Sequence, residues 1–289
     1  MTALRQKLID ELDLRGFSPN TKESYIRFVA GLATFYKRSP DLITDPEIKA
    51  YLLHLLREKK MATRSMLVAV SALRFFYRHV LSRPTDAIEQ ALPRMKEPVS
   101  RPQVYSVQEL EQLFSCPDLN RKHRALLMTA YAAGLRVSEL CRLKIEDIRS
   151  DRMQIRIVSG KGSKDRYTLL SPRLLEELRV YWQQHRPQHW LFPSPEDPQQ
   201  TMTRGSVLAA FHVSIERAGL PSRGGIHSLR HSFATHLLEA GVDLLTVQRL
   251  LGHSHISTTT TYLHVRQVHM DRVNSALDLI NFGRTQPAA

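Results

Sequence analysis

Residue types that can bind and attack a phosphate follow one another near the C-terminal end of this sequence. His227 and Arg230 lie three positions apart, His253 follows a Leu-Gly pair, and Tyr262 follows four consecutive threonines, 258–261. Arginine offers paired planar donors to phosphate oxygens, histidine can donate a hydrogen bond or move a proton near neutral pH, and tyrosine can act as a covalent nucleophile. Each residue alone is typical of a solvated helix face or of packing. Their ordered combination indicates chemistry on a phosphate without a metal.

A helix junction upstream supplies a second guanidinium. An apolar helical run ends at Gly134, and glycine suits the left-handed position just past a helix end. Arg136 follows immediately, and Glu139 lies one turn later if a new helix begins there. We expect Glu139 to orient its neighbours rather than to react.

A basic, Gly-rich stretch, 159–166, predicts the tip of a β-hairpin. It lies between the alternating apolar residues Met153, Ile155 and Ile157 and the β-prone segment 167–170. The spacing differs from that of a nucleotide-binding P-loop, and the stretch joins two strands rather than a strand and a helix. It is either a solvated turn or a means of carrying Lys161 into a nucleic-acid groove.

Arg136, Lys161, His227, Arg230, His253 and Tyr262 occur here in the order and context of the tyrosine recombinases, the phage-integrase-type family. The chain most resembles the Xer-type branch. The catalytic resemblance spans about residues 106–282, and the N-terminal region is similar to the family's core-binding domain. It implies a site-specific recombinase that cuts and rejoins double-stranded DNA at specific recombination sites, through a 3′-phosphotyrosyl intermediate and a four-way junction. It also implies self-association to a tetramer on DNA.

The same resemblance implies a role for each of the six residues, and no cofactor or metal. Arg136 and Arg230 would bind the non-bridging oxygens, and His227 and His253 would add hydrogen bonds. Tyr262 would attack the phosphorus, and Lys161 would protonate the departing 5′ oxygen, with Lys164 as the alternative acid.

The biological role within the recombinases stays open, and two other classes of function use related features. The same chemistry serves mobile-element integration as well as replicon-dimer resolution. A topoisomerase-like nicking-closing enzyme has a related catalytic set, and a non-catalytic DNA-binding regulator could retain the fold. The complete six-residue set disfavours the regulator, and a separate helical N-terminal domain favours the recombinase. The target DNA sequence and any partner recombinase or accessory protein do not follow from the sequence.

Composition agrees with a polyanionic partner. The 289 residues include 41 Lys and Arg against 28 Asp and Glu, a formal net charge of +13. No apolar run approaches the roughly 18 residues of a membrane span. Cys116 and Cys141 lack the spacing of zinc ligands, and two cysteines fit a reducing compartment. We therefore expect a cytoplasmic, nucleoid-associated protein of bacterial type that makes no membrane contact.

The predicted fold is mainly α with a small β-hairpin or sheet region. Four amphipathic helices over 1–82 form a DNA-binding core-binding domain, and 83–104 is a basic, Pro-rich linker that lies along DNA or is merely an exposed connector. A mixed α+β catalytic domain follows over 105–289, beginning at the capping box of Ser106 and Glu109.

The catalytic domain ends in a predicted docking helix. One apolar stripe runs through Met270, Val273, Leu277 and Ile280, which are spaced three or four apart. The stripe packs either against its own domain or, as the resemblance implies, into a neighbouring protomer.

Overall fold

A computed structural model describes residues 2–92, 95, 102–158 and 165–264. The chain divides into two compact units, Met1–Ser100 and Arg101–Ala289. Within the described residues, no helix is long and apolar enough to cross a membrane.

The N-terminal unit is helical, and local sequence signals set its helix ends. Its first four helices are α1 (Ala3–Leu14), α2 (Pro19–Tyr36), α3 (Asp45–Arg57) and α4 (Thr63–Phe75), and α4 continues as a π-helical turn, Phe76–Val80. The Ser18 hydroxyl accepts a hydrogen bond from the Thr21 N–H at the start of α2, and Thr44 and Glu47 form a capping box on α3. The predicted apolar stripes of Leu8 and Leu12 and of Phe76 and Tyr77 are buried in one core.

One part of the sequence prediction is wrong. The segment 83–104, interpreted as a linker, contains a fifth helix, α5 (Thr85–Ala91). Ile88 and Leu92 are four positions apart, so both reach the core of the N-terminal unit, where they are 3% and 1% exposed. Pro84 is compatible with this helix because it precedes the first helical residue, where proline's missing N–H is not needed.

The second unit is also mostly helical. Its helices are α6 (Val107–Ser115), α7 (Arg121–Ala132), α8 (Val137–Cys141), α9 (Pro172–His185), α10 (Arg204–Arg217), α11 (His227–Glu239), α12 (Leu244–Leu251) and α13 (Ile256–Thr260), followed by a 3₁₀ turn, Thr261–His264. The predicted capping box of Ser106 and Glu109 opens α6, and Ser171 caps α9. The fold class predicted from the sequence is confirmed.

A three-stranded antiparallel sheet interrupts these helices. Its strands are β1 (Ile148–Arg149), β2 (Gln154–Ile157) and β3 (Arg166–Leu169), in the order β1-β2-β3. The pairing of Ile157 with Arg166 closes the described part of the β2–β3 hairpin, so both of its strands are as predicted. The short strand β1 was not predicted.

Gly134 positions the junction between α7 and α8. Its φ of +60° confirms the predicted left-handed conformation after α7. A Cβ atom at this position would lie 2.5 Å from Phe233 Cδ1 on α11, so glycine is required for space as well as for backbone angle. Gly134 therefore lets α11 pack directly against the chain that leads to Arg136.

Two predicted features lie outside the described residues. They are the tip of the hairpin, which carries Lys161 and Lys164, and the C-terminal stripe of Met270, Val273, Leu277 and Ile280.

We expect Gly134→Ala to destabilise the second unit much more than Gly219→Ala. Both glycines have φ between +60° and +65°, but a Cβ at Gly219 meets nothing within 4 Å. The left-handed angle alone costs about 1–2 kcal/mol, and overpacking against Phe233 adds roughly 1–3 kcal/mol. Urea unfolding followed by tryptophan fluorescence measures this unit selectively, because both tryptophans, Trp182 and Trp190, belong to it. Equal losses in the two variants would contradict the steric role of Gly134.

Candidate active site

Arg136 lies at the start of α8 and is held there by Glu139. The Arg136 backbone N–H donates to Glu139 Oε2 at 2.8 Å, and its Nη1 donates to Oε1 at 2.8 Å. Arg136 Nη2 reaches across to the carbonyl oxygen of Gly252 at 3.2 Å. The side chain remains 40% exposed, so its guanidinium is fixed in direction yet accessible to a ligand.

Arg230 lies in the first turns of α11 and is buried, with only 1% of its surface exposed. Its Nη1 donates to the carbonyl oxygen of Gly134 at 2.6 Å and its Nη2 to that of Leu251 at 2.8 Å. Its Nε is buried and has no hydrogen-bond partner among the described residues. Burial, followed by the positive charge of Arg136, lowers the pKa of Arg230 to about 10, which leaves it fully charged at neutral pH.

The two guanidiniums therefore meet at one turn of the chain. Arg136 and Arg230 are 94 positions apart, and they donate to the carbonyl oxygens of the consecutive residues Gly252 and Leu251. Gly252 ends α12 in the left-handed conformation, with φ of +65°. The next residue is His253, so this turn brings three of the predicted site residues together.

Glu139 is the carboxylate that the arginines of this cluster contact. Besides Arg136, it receives two hydrogen bonds from Arg166, Nη1 to Oε1 at 2.7 Å and Nη2 to Oε2 at 2.8 Å. Burial alone would raise the pKa of Glu139, but the hydrogen bonds and charge of Arg166, with those of Arg136, lower it to about 2. Glu139 is therefore ionised, as its predicted orienting role requires.

The two predicted histidines border the same cluster. His253 Nδ1 lies 2.9 Å from Thr259 Oγ1, and a hydrogen bond between them fixes the ring. Lost hydration, together with the charges of Arg230 and Arg136, lowers the pKa of His253 to about 4. The same two causes, in the same order, lower the pKa of His227. His253 is therefore neutral at pH 7, with its ring available to exchange a proton.

Tyr262 is buried in this structure, with 3% of its surface exposed. Its ring belongs to a small apolar cluster with Phe233, Leu238, Val247 and Leu251. Burial raises the pKa of the phenol, and the charges of Arg230 and Arg136 oppose that shift. A ligand cannot reach the hydroxyl of so enclosed a side chain unless Tyr262 moves.

His231 is a site residue that sequence reasoning missed. Its Nδ1 lies 3.0 Å from the Tyr262 hydroxyl, within hydrogen-bond distance, and its ring centroid is 4.7 Å from that of His227. Burial, followed by the charges of His227 and Arg230, lowers the pKa of His231 to about 4. The available signal was its spacing, because His227 and His231 are four positions apart and share one face of α11. Arg166, bound to Glu139, was missed as well.

The structure thus brings together five of the six predicted residues. Arg136, Arg230, His227, His253 and Tyr262 meet where α8, α11 and the end of α12 converge. Lys161 lies outside the described residues. Among the residues that the structure does describe, no group of three or more His, Cys, Asp or Glu side chains could hold a metal ion.

Comparison with family models gives two matches that together span most of the chain. The model described as the phage integrase family matches residues 103–269. The model of the phage integrase N-terminal SAM-like domain matches residues 4–87.

Relatives with known names agree with these matches. A Sinorhizobium fredii protein whose name describes an integrase/recombinase is 42% identical over 97% of this chain and 90% of its own. Tyrosine recombinase XerA of Thermococcus kodakarensis is 35% identical over 93% of both chains.

Solved structures show the same fold. A crystal structure of XerA recombinase covers 95% of this chain and 100% of its own, at 25% identity and a TM-score of 0.54. A lambda integrase dimer bound to a COC′ core site covers 89% of this chain and 96% of its own, with a TM-score of 0.72 at 20% identity.

The buried neutral histidines predict a pH-dependent stability. An unfolded histidine titrates near pH 6.5, whereas the pKa values of His231 and His253 in the fold are about 4. Between these values the unfolded chain binds more protons, so stability is full above pH 6.5 and declines as pH falls toward 4. Glu139 acts in a lower window, because its pKa falls from 4.5 to about 2 in the fold. We expect the urea midpoint, measured by tryptophan fluorescence, to decrease steadily from pH 7 to pH 5.

A substitution can isolate the contribution of His231 to this pH dependence from that of other titrating groups. His231→Asn cannot be protonated, so its midpoint should depend less steeply on pH, whatever its stability at pH 7. His212→Asn, at an exposed position on α10, is the matched control and should keep the full dependence. An unchanged slope in His231→Asn would show that His231 does not carry the effect.

Proposed function

The chain belongs to the phage integrase family and is a site-specific tyrosine recombinase; from its site we propose that Tyr262 is the nucleophile that cuts and rejoins double-stranded DNA. One observation carries the proposal. Two guanidiniums from distant parts of the sequence are directed to adjacent carbonyl groups of a single turn, 251–252, and His253 follows that turn. A paired, preorganised positive charge of this kind suits a phosphate on which negative charge grows during reaction.

In the first step, the Tyr262 oxygen forms a bond to phosphorus as the bond from phosphorus to the 5′ oxygen breaks. The phenolic proton passes to a neighbouring histidine, for which His253 and His231 are the candidates, both neutral at pH 7. Lys161 gives a proton to the departing 5′ oxygen. The products are a 3′-phosphotyrosyl link and a free 5′ hydroxyl, so a 5′ hydroxyl from a second duplex can reverse the step without ATP.

Arg136 and Arg230 stabilise the five-coordinate transition state. Arg136 is 40% exposed, and the buried Nε of Arg230 is a donor without a partner among the described residues. Arg136 is accessible to a phosphate before DNA binds, whereas Arg230, 1% exposed, contacts a phosphate only when the residues around it move. Each such donor contributes roughly a hundredfold to a thousandfold in rate.

The number of DNA strands that are cut determines the number of protomers that we propose. Recombination between two duplexes through a four-way junction cuts four strands, and each chain supplies one Tyr262. Four protomers on two recombination sites therefore complete one reaction. We propose that the predicted C-terminal helix joins neighbouring protomers, and that the protein acts at the nucleoid, where its substrate lies.

We propose that the N-terminal unit binds DNA as well. One groove between α2 and α4 is lined by polar residues, Asn20, Thr21, Ser24, Arg64 and Ser71, together with the apolar or aromatic residues Tyr25, Leu67 and Val68. Hydroxyl, amide and guanidinium groups of this kind bind phosphates and base edges. The net charge of +13 favours the same partner.

We expect Tyr262→Phe to bind DNA but to form no covalent complex. The duplex is selected from a random-sequence pool by binding to the protein, then nicked beside the cleavage position so that the short 5′-hydroxyl fragment is lost. The wild-type protein should then give a protein–DNA band on a denaturing gel. Tyr181→Phe is the matched control, because Tyr181 is buried in the same unit and its hydroxyl has no partner among the described residues. A covalent band that persists in Tyr262→Phe would refute the assignment.

We expect Lys161→Ala to slow cleavage by about a hundredfold to ten-thousandfold while DNA affinity changes little, because a general acid acts in the transition state. A substrate with sulfur in place of the 5′ bridging oxygen has a better leaving group and should restore the rate. Lys164→Ala is the matched control in the same segment. If sulfur rescues Lys164→Ala and not Lys161→Ala, then Lys164 is the acid.

A further inference from the structure

Arg166 is a charged residue of the site for which the proposed chemistry has no role. It is the first residue of β3 and follows Lys161 by five positions. Its side chain is only 11% exposed, and its Nη1, Nη2 and Nε all donate to protein acceptors. Unlike Arg136, it presents little surface to a phosphate. Its effect on the reaction must therefore pass through the groups that it contacts.

Those contacts connect three elements of the site. The two Nη atoms bind both oxygens of Glu139, the carboxylate that also holds Arg136. The Nε atom donates to the carbonyl oxygen of Leu250 at 2.9 Å, in the last turn of α12 before His253. A Cβ on Gly252 would lie 2.7 Å from Arg166 Cδ, so the Arg166 side chain packs directly against that turn.

Arg166 changes the balance of charge around Glu139. Glu139 is one negative charge among three guanidiniums, so the four groups together carry a net charge of +2. If Arg166 were removed, Arg136 and Arg230 would be the cationic neighbours left to the buried carboxylate among the described residues. Arg230 Nη1 already lies 3.8 Å from Glu139 Oε2 and could close that gap at the expense of its carbonyl contacts. The Arg136 and Arg230 guanidiniums would then both pair with Glu139, and less of their positive charge would be left to act on a phosphate.

We propose that Arg166 is a positioning residue for strand cleavage, which binds both oxygens of Glu139 and thereby keeps Arg136 and Arg230 directed to the DNA phosphate. The proposal rests on the recombinase function above. A bidentate guanidinium fits this task because its planar pair of donors matches a carboxylate, whereas an ammonium acts as a point charge. Arg166 also ties β3 to the last turn of α12, which precedes His253.

The test compares cleavage with binding in four variants: Arg166→Met, Arg166→Lys, Glu139→Gln and the double variant Arg166→Met with Glu139→Gln. The probe is the selected nicked duplex, and the two readouts are its Kd and the rate of covalent-complex formation. Tryptophan fluorescence confirms that each variant is folded. Arg156→Met is the matched control, because Arg156 lies on β2 and donates to the buried Asp147 at 2.9 Å. It pairs with Tyr167, so it points to the sheet face opposite Arg166.

We expect Arg166→Met to slow cleavage by about a hundredfold with Kd changed by less than about threefold, since the loss falls on transition-state contacts. Arg166→Lys should be slowed as well. The double variant should cleave at least about tenfold faster than Arg166→Met, because removing the carboxylate charge releases Arg136 and Arg230. Arg156→Met should cleave at the wild-type rate.

Two results would overturn the proposal. One is a double variant as slow as Arg166→Met, since a purely structural contact offers no route to rescue. The other is an Arg166→Met protein that cleaves at the wild-type rate while Tyr262→Phe forms no adduct; the recombinase assignment would then stand and the role of Arg166 would fall. A wild-type adduct that survives in Tyr262→Phe would instead refute the assignment of the nucleophile.

Discussion

The concentration of positive charge around one carboxylate is the constraint on which the rest of the site depends. Arg136, Arg166 and Arg230 surround Glu139, and like charges at this distance repel one another. The fold holds them with Glu139 and with the carbonyl oxygens of Gly134, Leu250, Leu251 and Gly252. Carbonyl oxygens carry only partial charges, so they fix the guanidiniums without neutralising them. The cluster therefore keeps a net positive charge, which the proposed mechanism uses to bind a phosphate.

The same constraint explains the two glycines that end α7 and α12. A carbonyl at the end of a helix has no partner within the helix, and it can therefore accept a bond from a side chain. Gly134 and Gly252 turn the chain in the left-handed conformation at those ends, and both carbonyls accept from site arginines. A side chain at either glycine would also collide with a neighbour, Phe233 or Arg166. Helix termination and arginine binding are thus one structural feature.

The sequence predicted what is local and periodic, and it missed what depends on three-dimensional contact. Caps at Ser18 and Ser106, the glycine at 134 and the strands of the hairpin follow from local chemistry, and the structure confirms them. Helix α5 was missed because its seven residues are too few to show a period among four prolines. His231 and Arg166 were missed for another reason. Each acts through a residue distant in sequence, Tyr262 or Glu139, and no spacing along the chain encodes such a contact.

The cluster of positive charge and the buried position of Tyr262, the proposed nucleophile, together suggest how the direction of reaction is controlled. Exchange of one phosphodiester for a phosphotyrosyl ester and back conserves the number of ester bonds, so bond energy gives little preference for either direction. Arg136 is accessible before DNA binds, whereas Arg230 is 1% exposed and Tyr262 is 3% exposed, with its hydroxyl 3.0 Å from His231 Nδ1, within hydrogen-bond distance. Exposure of the phenol must break that hydrogen bond and move the ring out of its apolar cluster. Assembly on DNA can supply the free energy for that movement, because protein–DNA contacts are made only in the complex. Under the proposed mechanism, control of strand exchange then lies in the position of Tyr262.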